Sequence, residues 1–233
     1  MKRLVCVYLI TTVALLIART AQAQQPRDFT PYLIADRATE IALARSAAPA
    51  AVSDSATVLV LTRTGFVEAS HGRNGFTCFV LRSFASPIGD PKFWNPKIRA
   101  PHCLTPPAVR TILPEMLKRA EWIMAGVSPT EIKTRTSAAY ASRQFPAPAV
   151  GAMAYMTSPR QYLDDDAPQN WMPHLMFYYD RSLPASTWGA GGFSATVIDG
   201  SAGDAASPVL TLLVPVRRWS DGSMATPAAK PEN

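Results

Sequence analysis

The chain has 233 residues, of which 23 are Lys or Arg and 17 are Asp or Glu, giving a formal charge of +6. This length suits one domain with a full core, or one domain with a long insertion. The cations form no run longer than a pair, as in "VRRW" and "LKRAEW", so nothing resembles a nucleic-acid footprint.

The first element is an export signal. Lys2 and Arg3 precede an uncharged stretch from Leu4 to Ile17, and Ala21-Gln22-Ala23 offers a small-x-small cleavage site. The uncharged stretch is shorter than the ~20 residues of a spanning helix, so residues 1–23 read as a cleaved leader, with an uncleaved anchor as the rival. No stable membrane span is expected after cleavage. Loss of Lys2, Arg3 and Arg19, with no acid in that segment, lowers the charge from +6 to +3. Cys6 leaves too, so Cys78 and Cys103 are the two cysteines of the mature chain. Periplasm and external medium are not separated by these features.

Residues 24–219 read as one domain and 220–233 as a loose tail, since "SDGSMATPAAKPEN" has no apolar period. "PYLIADRATEIALARSAA" is mildly amphipathic at helical spacing and stops at Pro49. "TVLVLT" (57–62) reads as a buried strand, followed by "FVEASH" (66–71) and, after Asn74-Gly75, "FTCFVLR". Asn-Gly is the strongest short hairpin signal, so the three strands are expected as an antiparallel meander. A Pro-rich connection leads to Cys103. Val109 to Val127 then carry one apolar helical face, with Pro114 as a kink or a start. Ser128-Pro129-Thr130-Glu131 is a capping box that opens a second helix to about Arg143. Further strands are expected at 152–157, 174–179, 194–198 and 208–216. The pattern predicts an α+β fold: a mainly antiparallel sheet of about seven strands, an N-terminal helix and a two-helix insertion.

The block "GRNGFTC" (72–78) has the form Gly-x-Asn-Gly-Phe-x-Cys, and "PHLMFY" spans 173–178. Over roughly residues 55 to 215 the chain resembles exported bacterial proteins of no assigned function that carry both blocks. The resemblance implies export and a single domain. It implies no activity, cofactor or catalytic residue.

Cys78 and Cys103 admit three chemistries: a disulfide, part of a metal site, or a reactive thiol. A type I′ turn at Asn74-Gly75 would set His71 opposite Cys78, and His102 precedes Cys103, giving a Cys2His2 quartet. The spacing lacks any C-x2-C or H-x3-H unit, and export favours oxidation of two thiols. A disulfide is therefore expected, contributing roughly 3 kcal/mol, and no metal. A reactive Cys78 would use His71 as its base.

Other candidates are weaker. His174 shares a strand face with Met176 and Tyr178, so it is either a base or ligand-binding group at a pocket mouth or a histidine bonded to a backbone carbonyl. Asp164, Asp165 and Asp166 lack the alternating spacing of a calcium loop and read as a solvated turn. "TWGAGGFSA" (187–195) could set an oxyanion hole beside Ser194, but it matches no G-x-S-x-G and reads as a turn before a strand. Trp94, Trp171 and Trp188 lie in loops beside Phe93 and other aromatics, as a stacking platform or as loop plugs. No complete catalytic set assembles. The expectation is a non-catalytic, cofactor-free protein binding a small molecule or an envelope protein through Trp94, Trp171, Trp188 and Tyr178. The alternative is a secreted hydrolase using His174 with Ser194 and Asp164–Asp166, or Cys78 with His71; a structural envelope component is a third.

Overall fold

The computed structural model describes residues 28–165, 171–201 and 207–225. The expected leader (1–23), Asp166 and the expected tail beyond Ala225 lie outside the described residues.

Asp36 starts the first long helix by accepting the N–H groups of Ala38 and Thr39 at 3.2 and 2.9 Å. That cap divides the expected N-terminal helix into a 3-10 turn at Thr30–Tyr32 and α1 (Arg37–Arg45), and Pro49 begins a separate α2 (Ala50–Ser53). The strands are β1 (Thr57–Thr62), β2 (Gly65–Ser70), β3 (Thr77–Leu81), β4 (Ala100–Leu104), β5 (Met153–Met156), β6 (His174–Asp180), β7 (Ile198–Asp199) and β8 (Val209–Pro215). Between β4 and β5 come α3 (Pro106–Thr111), α4 (Leu113–Met124) and α5 (Pro129–Ala141). The apolar run containing Pro114 is thus two helices, and the proline sits at the start of the second, where its missing N–H costs nothing. Ser128 accepts the Glu131 N–H at 3.2 Å, as its capping box requires.

One eight-stranded sheet results, in the order β2-β1-β3-β4-β5-β6-β8-β7. Every neighbouring pair is antiparallel except β1 with β3. The fold is α+β with a mainly antiparallel sheet.

The expected meander is wrong in its topology. β1 lies between β2 and β3, and β2 does not pair with β3. A type I′ turn needs positive φ at both central residues, yet Asn74 does not adopt it, and only Gly75 does, at +76°. Asn74 instead donates to Val52 O at 2.7 Å and accepts the Phe76 N–H at 3.1 Å. The chain therefore crosses the start of β1, and Gly72 allows the passage: a Cβ there would stand 2.1 Å from Thr57 N.

Three further expectations need correction. β4 was read as Pro-rich connection, and the strand expected at 194–198 shrinks to Ile198–Asp199. Residues 220–225, placed in a loose tail, are held: Ser220 donates its N–H to Thr157 O at 2.7 Å and its hydroxyl to Ser46 O at 2.6 Å.

Strand alternation builds two cores. Val58, Cys78, Val80 and Cys103 pack under α1. Leu59, Phe79, Leu81, Leu104 and Ala154 pack on the other face, with Ala108, Ile112 and Leu113 of the helical insertion. Strand β1 is apolar on both sides because both of its faces are covered.

Candidate functional site

Facing residues on neighbouring strands share a side of the sheet. Phe79 lies opposite His102, and Met156 opposite His174. His102, Met156, His174, Met176 and Tyr178 consequently point toward the face covered by α3 and α4. α4 packs against β2, and α3 packs against β4 and β5, and a cavity of about 350 Å³ opens between the sheet and α4. Its floor is this row of strand residues with Leu213. Met116 and Arg119 of α4 form the roof, and Trp171 and Arg181 stand among the remaining wall residues.

Its histidines are buried, His102 at 4 % and His174 at 2 % exposure. His102 Nδ1 lies 3.0 Å from Ala100 O, and His174 Nδ1 lies 2.9 Å from Met172 O. A carbonyl only accepts, so each Nδ1 carries the proton and each Nε2 keeps its lone pair. Burial pushes the His102 pKa down to about 4, aided by nearby His174 and opposed by the Ala100 carbonyl. Burial likewise lowers His174, with the Met172 carbonyl opposing. Both rings are neutral near pH 7.

The other polar groups of the wall are mostly engaged. Arg119 donates from Nε to Phe84 O at 3.2 Å and from Nη2 to Ser86 O at 2.5 Å, tying the roof to the loop after β3. Glu115 accepts from the Tyr140 hydroxyl at 2.5 Å and the Ser207 hydroxyl at 3.3 Å. Tyr178, kept protonated by burial, is 3.8 Å from Met176 Sδ. Arg181 donates from Nη2 to Val209 O and Ser201 O, at 3.0 and 3.3 Å, while its Nε is buried with no partner among the described residues.

The sequence candidates separate by face. Cys78 and Cys103 are directly opposed on β3 and β4 and form a fully buried disulfide, S–S 2.01 Å, on the α1 side. The Cys2His2 quartet is not formed. Successive strand residues point to opposite sides, so His102 turns away from Cys103 into the cavity. His71 is not opposite Cys78 either: its side chain is 83 % exposed and meets Glu68 at 3.2 Å. The reading of Cys78 as a thiol activated by His71 falls with the disulfide.

The Ser194 triad is not brought together. His174 Nδ1 meets a carbonyl instead of a carboxylate, and Ser194 is exposed in the loop before β7. Asp164 pairs with Lys92. Asp165 accepts from Tyr162 at 2.5 Å, Asn95 at 2.7 Å and Lys97 at 3.4 Å, so these acids fasten two loops together.

Among the aromatic candidates, Trp171 and Tyr178 line the cavity. The Trp171 ring is 5.7 Å from His174 and 5.2 Å from Phe193, which is 68 % exposed. Trp94 is a loop plug: it packs edge-on to Phe93 at 4.6 Å, and its carbonyl accepts from Tyr32. Trp188 stacks on Tyr179 at 4.3 Å, on the opposite side of β6 from Tyr178.

Sequence reasoning missed His102, Met156, Arg119 and Arg181 as cavity residues. The alternation of "HLMFYY" did mark His174, Met176 and Tyr178 as one face. Among the described residues no group of three or more His, Cys, Asp or Glu is placed to hold a metal ion, and no helix is long and apolar enough to cross a membrane. No family model, curated protein or solved structure matches the chain.

Proposed function

We propose that this is an exported small-ligand-binding protein whose ligand occupies the cavity between β4–β8 and α4. The observation that carries the reading is a mostly apolar cavity with two neutral histidine acceptors and the orphaned Arg181 Nε in its wall. A volume of about 350 Å³ falls in the range of small-molecule sites, in which a few placed polar groups orient an apolar body. An unpartnered buried donor is unfavourable by itself, and a ligand acceptor would remove that penalty. Export is supported by the leader pattern of residues 1–23 and by a buried disulfide, which suits an oxidising compartment.

The test is a thermal-shift panel of aromatic carboxylates, sugars and short amphiphiles on the mature protein and on Met116→Trp, which narrows the cavity from the roof. The overpacked variant is expected to be roughly 1–3 kcal/mol less stable but folded, as circular dichroism would verify. Stabilisation of the wild type by at least one probe, lost in Met116→Trp, is the expected result. No stabilisation by any probe, or stabilisation that the variant retains, would count against the cavity as the ligand site.

A further inference from the structure

We propose that the cavity floor holds a soft monovalent metal ion of the Cu(I) class, with His102 Nε2, Met156 Sδ and His174 Nε2 as ligands. The inference rests on the cavity being the ligand site and adds the chemistry of what binds at its floor.

The three side chains come from adjacent strands. Met156 lies directly opposite His174 across β5 and β6. Between β4 and β5 the register pairs Cys103 with Tyr155, and one further step places Met156 beside His102. Opposed residues have Cβ atoms roughly 5 Å apart, so Met156 stands between the two histidines on the cavity side. All three are at most 5 % exposed.

Each ring is held as a ligand would be. Nδ1–H is fixed on the carbonyl of the residue two positions earlier in the chain, at 3.0 Å for His102 and 2.9 Å for His174. Anchoring of this kind sets the tautomer and orients the other nitrogen in metal-bound histidines. Both histidines line the cavity, and Met156 stands on the strand between them.

The donor set selects the ion. Two imidazoles and a thioether are neutral and of intermediate to soft character, which suits Cu(I) and Ag(I). No carboxylate or thiolate belongs to the set. A divalent ion in this buried place would keep its full charge against a large desolvation cost, and zinc would find neither thiolate nor a fourth protein ligand. Met176 adds a thioether on the floor, and Met116 adds one from the roof of the same cavity.

Ag(I) is the probe, because it needs no reductant and leaves the Cys78–Cys103 disulfide intact. The mature protein would carry His71→Ala to remove the exposed histidine. Native mass spectrometry, competition against a chelator of known affinity, and long-range 1H–15N spectra of the histidine rings are the readouts. The expected result is one Ag(I) per chain, with the Nε2 resonances of His102 and His174 displaced. Met156→Leu, which nearly preserves volume, should weaken Ag(I) binding at least ~10-fold. No retained Ag(I), unmoved Nε2 resonances, or equal affinity in Met156→Leu would overturn the metal site. If organic probes stabilise the protein in those cases, the cavity reading stands alone; if they do not, both readings fail.

Discussion

Glu40 and Arg82 form an ion pair sealed from water, with side chains 2 % and 0 % exposed and Nη2 to Oε1 at 2.8 Å. Arg82 also donates from Nε to Tyr32 O at 2.6 Å and from Nη1 to Val80 O, and Glu40 Oε1 accepts the Leu61 N–H at 3.0 Å. The pair thereby joins the 3-10 turn, α1, β1 and β3. Burial lowers the Arg82 pKa, and attraction to Glu40 opposes that shift. Replacing Glu40 by Ala leaves a buried cation without its counter-charge, which costs about 3–5 kcal/mol. It also orphans the Leu61 N–H, adding about 1–3 kcal/mol. Against a typical domain stability of about 5–15 kcal/mol, the variant should be at the edge of folding. Glu40→Gln retains an acceptor for Leu61 and separates the two contributions. Urea denaturation followed by circular dichroism measures each loss. Arg82→Met combined with Glu40→Leu removes both charges, and this double variant should lose less than Glu40→Ala alone. A loss below about 1 kcal/mol for Glu40→Ala, or a double variant at least as unstable as it, would refute the argument.

Metal-free protein should lose stability as pH falls from about 6.5 toward 4. His102 is lowered from 6.5 to about 4 by folding, so in that window the unfolded chain binds the extra proton. The His102 contribution is fully present above the unfolded pKa, and its loss amounts to about 3 kcal/mol by pH 4, with His174 acting in the same direction. Denaturant midpoints measured from pH 7 to 4.5 would show the slope in wild type and a shallower one in His102→Gln; equal slopes would contradict it. The Cys78–Cys103 disulfide spans 25 positions, so the Cys78→Ala/Cys103→Ala variant should be less stable by about 3 kcal/mol in urea. An unchanged midpoint would show that the link does not stabilise the native state.

Local signals in the sequence carried the helices and most strands because they depend on near neighbours. The Ser128 cap, the proline that starts α4 and the alternation within "HLMFYY" are each complete within a few residues. β4 was hidden by its own prolines: "NPKIRAPHC" reads as a connection, yet Pro101 lies where β4 pairs with β3, and β4 pairs with β5 from Cys103 onward. The order β2-β1-β3 was obscured by Asn74-Gly75, whose hairpin preference yields to hydrogen bonds with Ser55 and Val52. The disulfide was legible because cleavage after Ala23 would remove Cys6 and leave two thiols. The cavity was not, since His102, Arg119, Met156 and Arg181 come from four separate elements and meet only once the sheet is ordered. His174 was visible as a candidate, and it bonds a backbone carbonyl while it lines a cavity.

The ligand site can be located through the methionine methyl groups. Met116, Met156 and Met176 line the cavity, whereas Met124 packs in a separate apolar cluster and Met224 is exposed at the far end of the described chain. Mature protein labelled at methionine methyls, titrated with the best stabilising probe and followed by 1H–13C spectra, should show displaced resonances for Met116, Met156 and Met176. Those of Met124 and Met224 should stay in place. Saturable binding that moves Met124 or Met224 and leaves the three cavity methionines unmoved would put the ligand elsewhere and contradict the account.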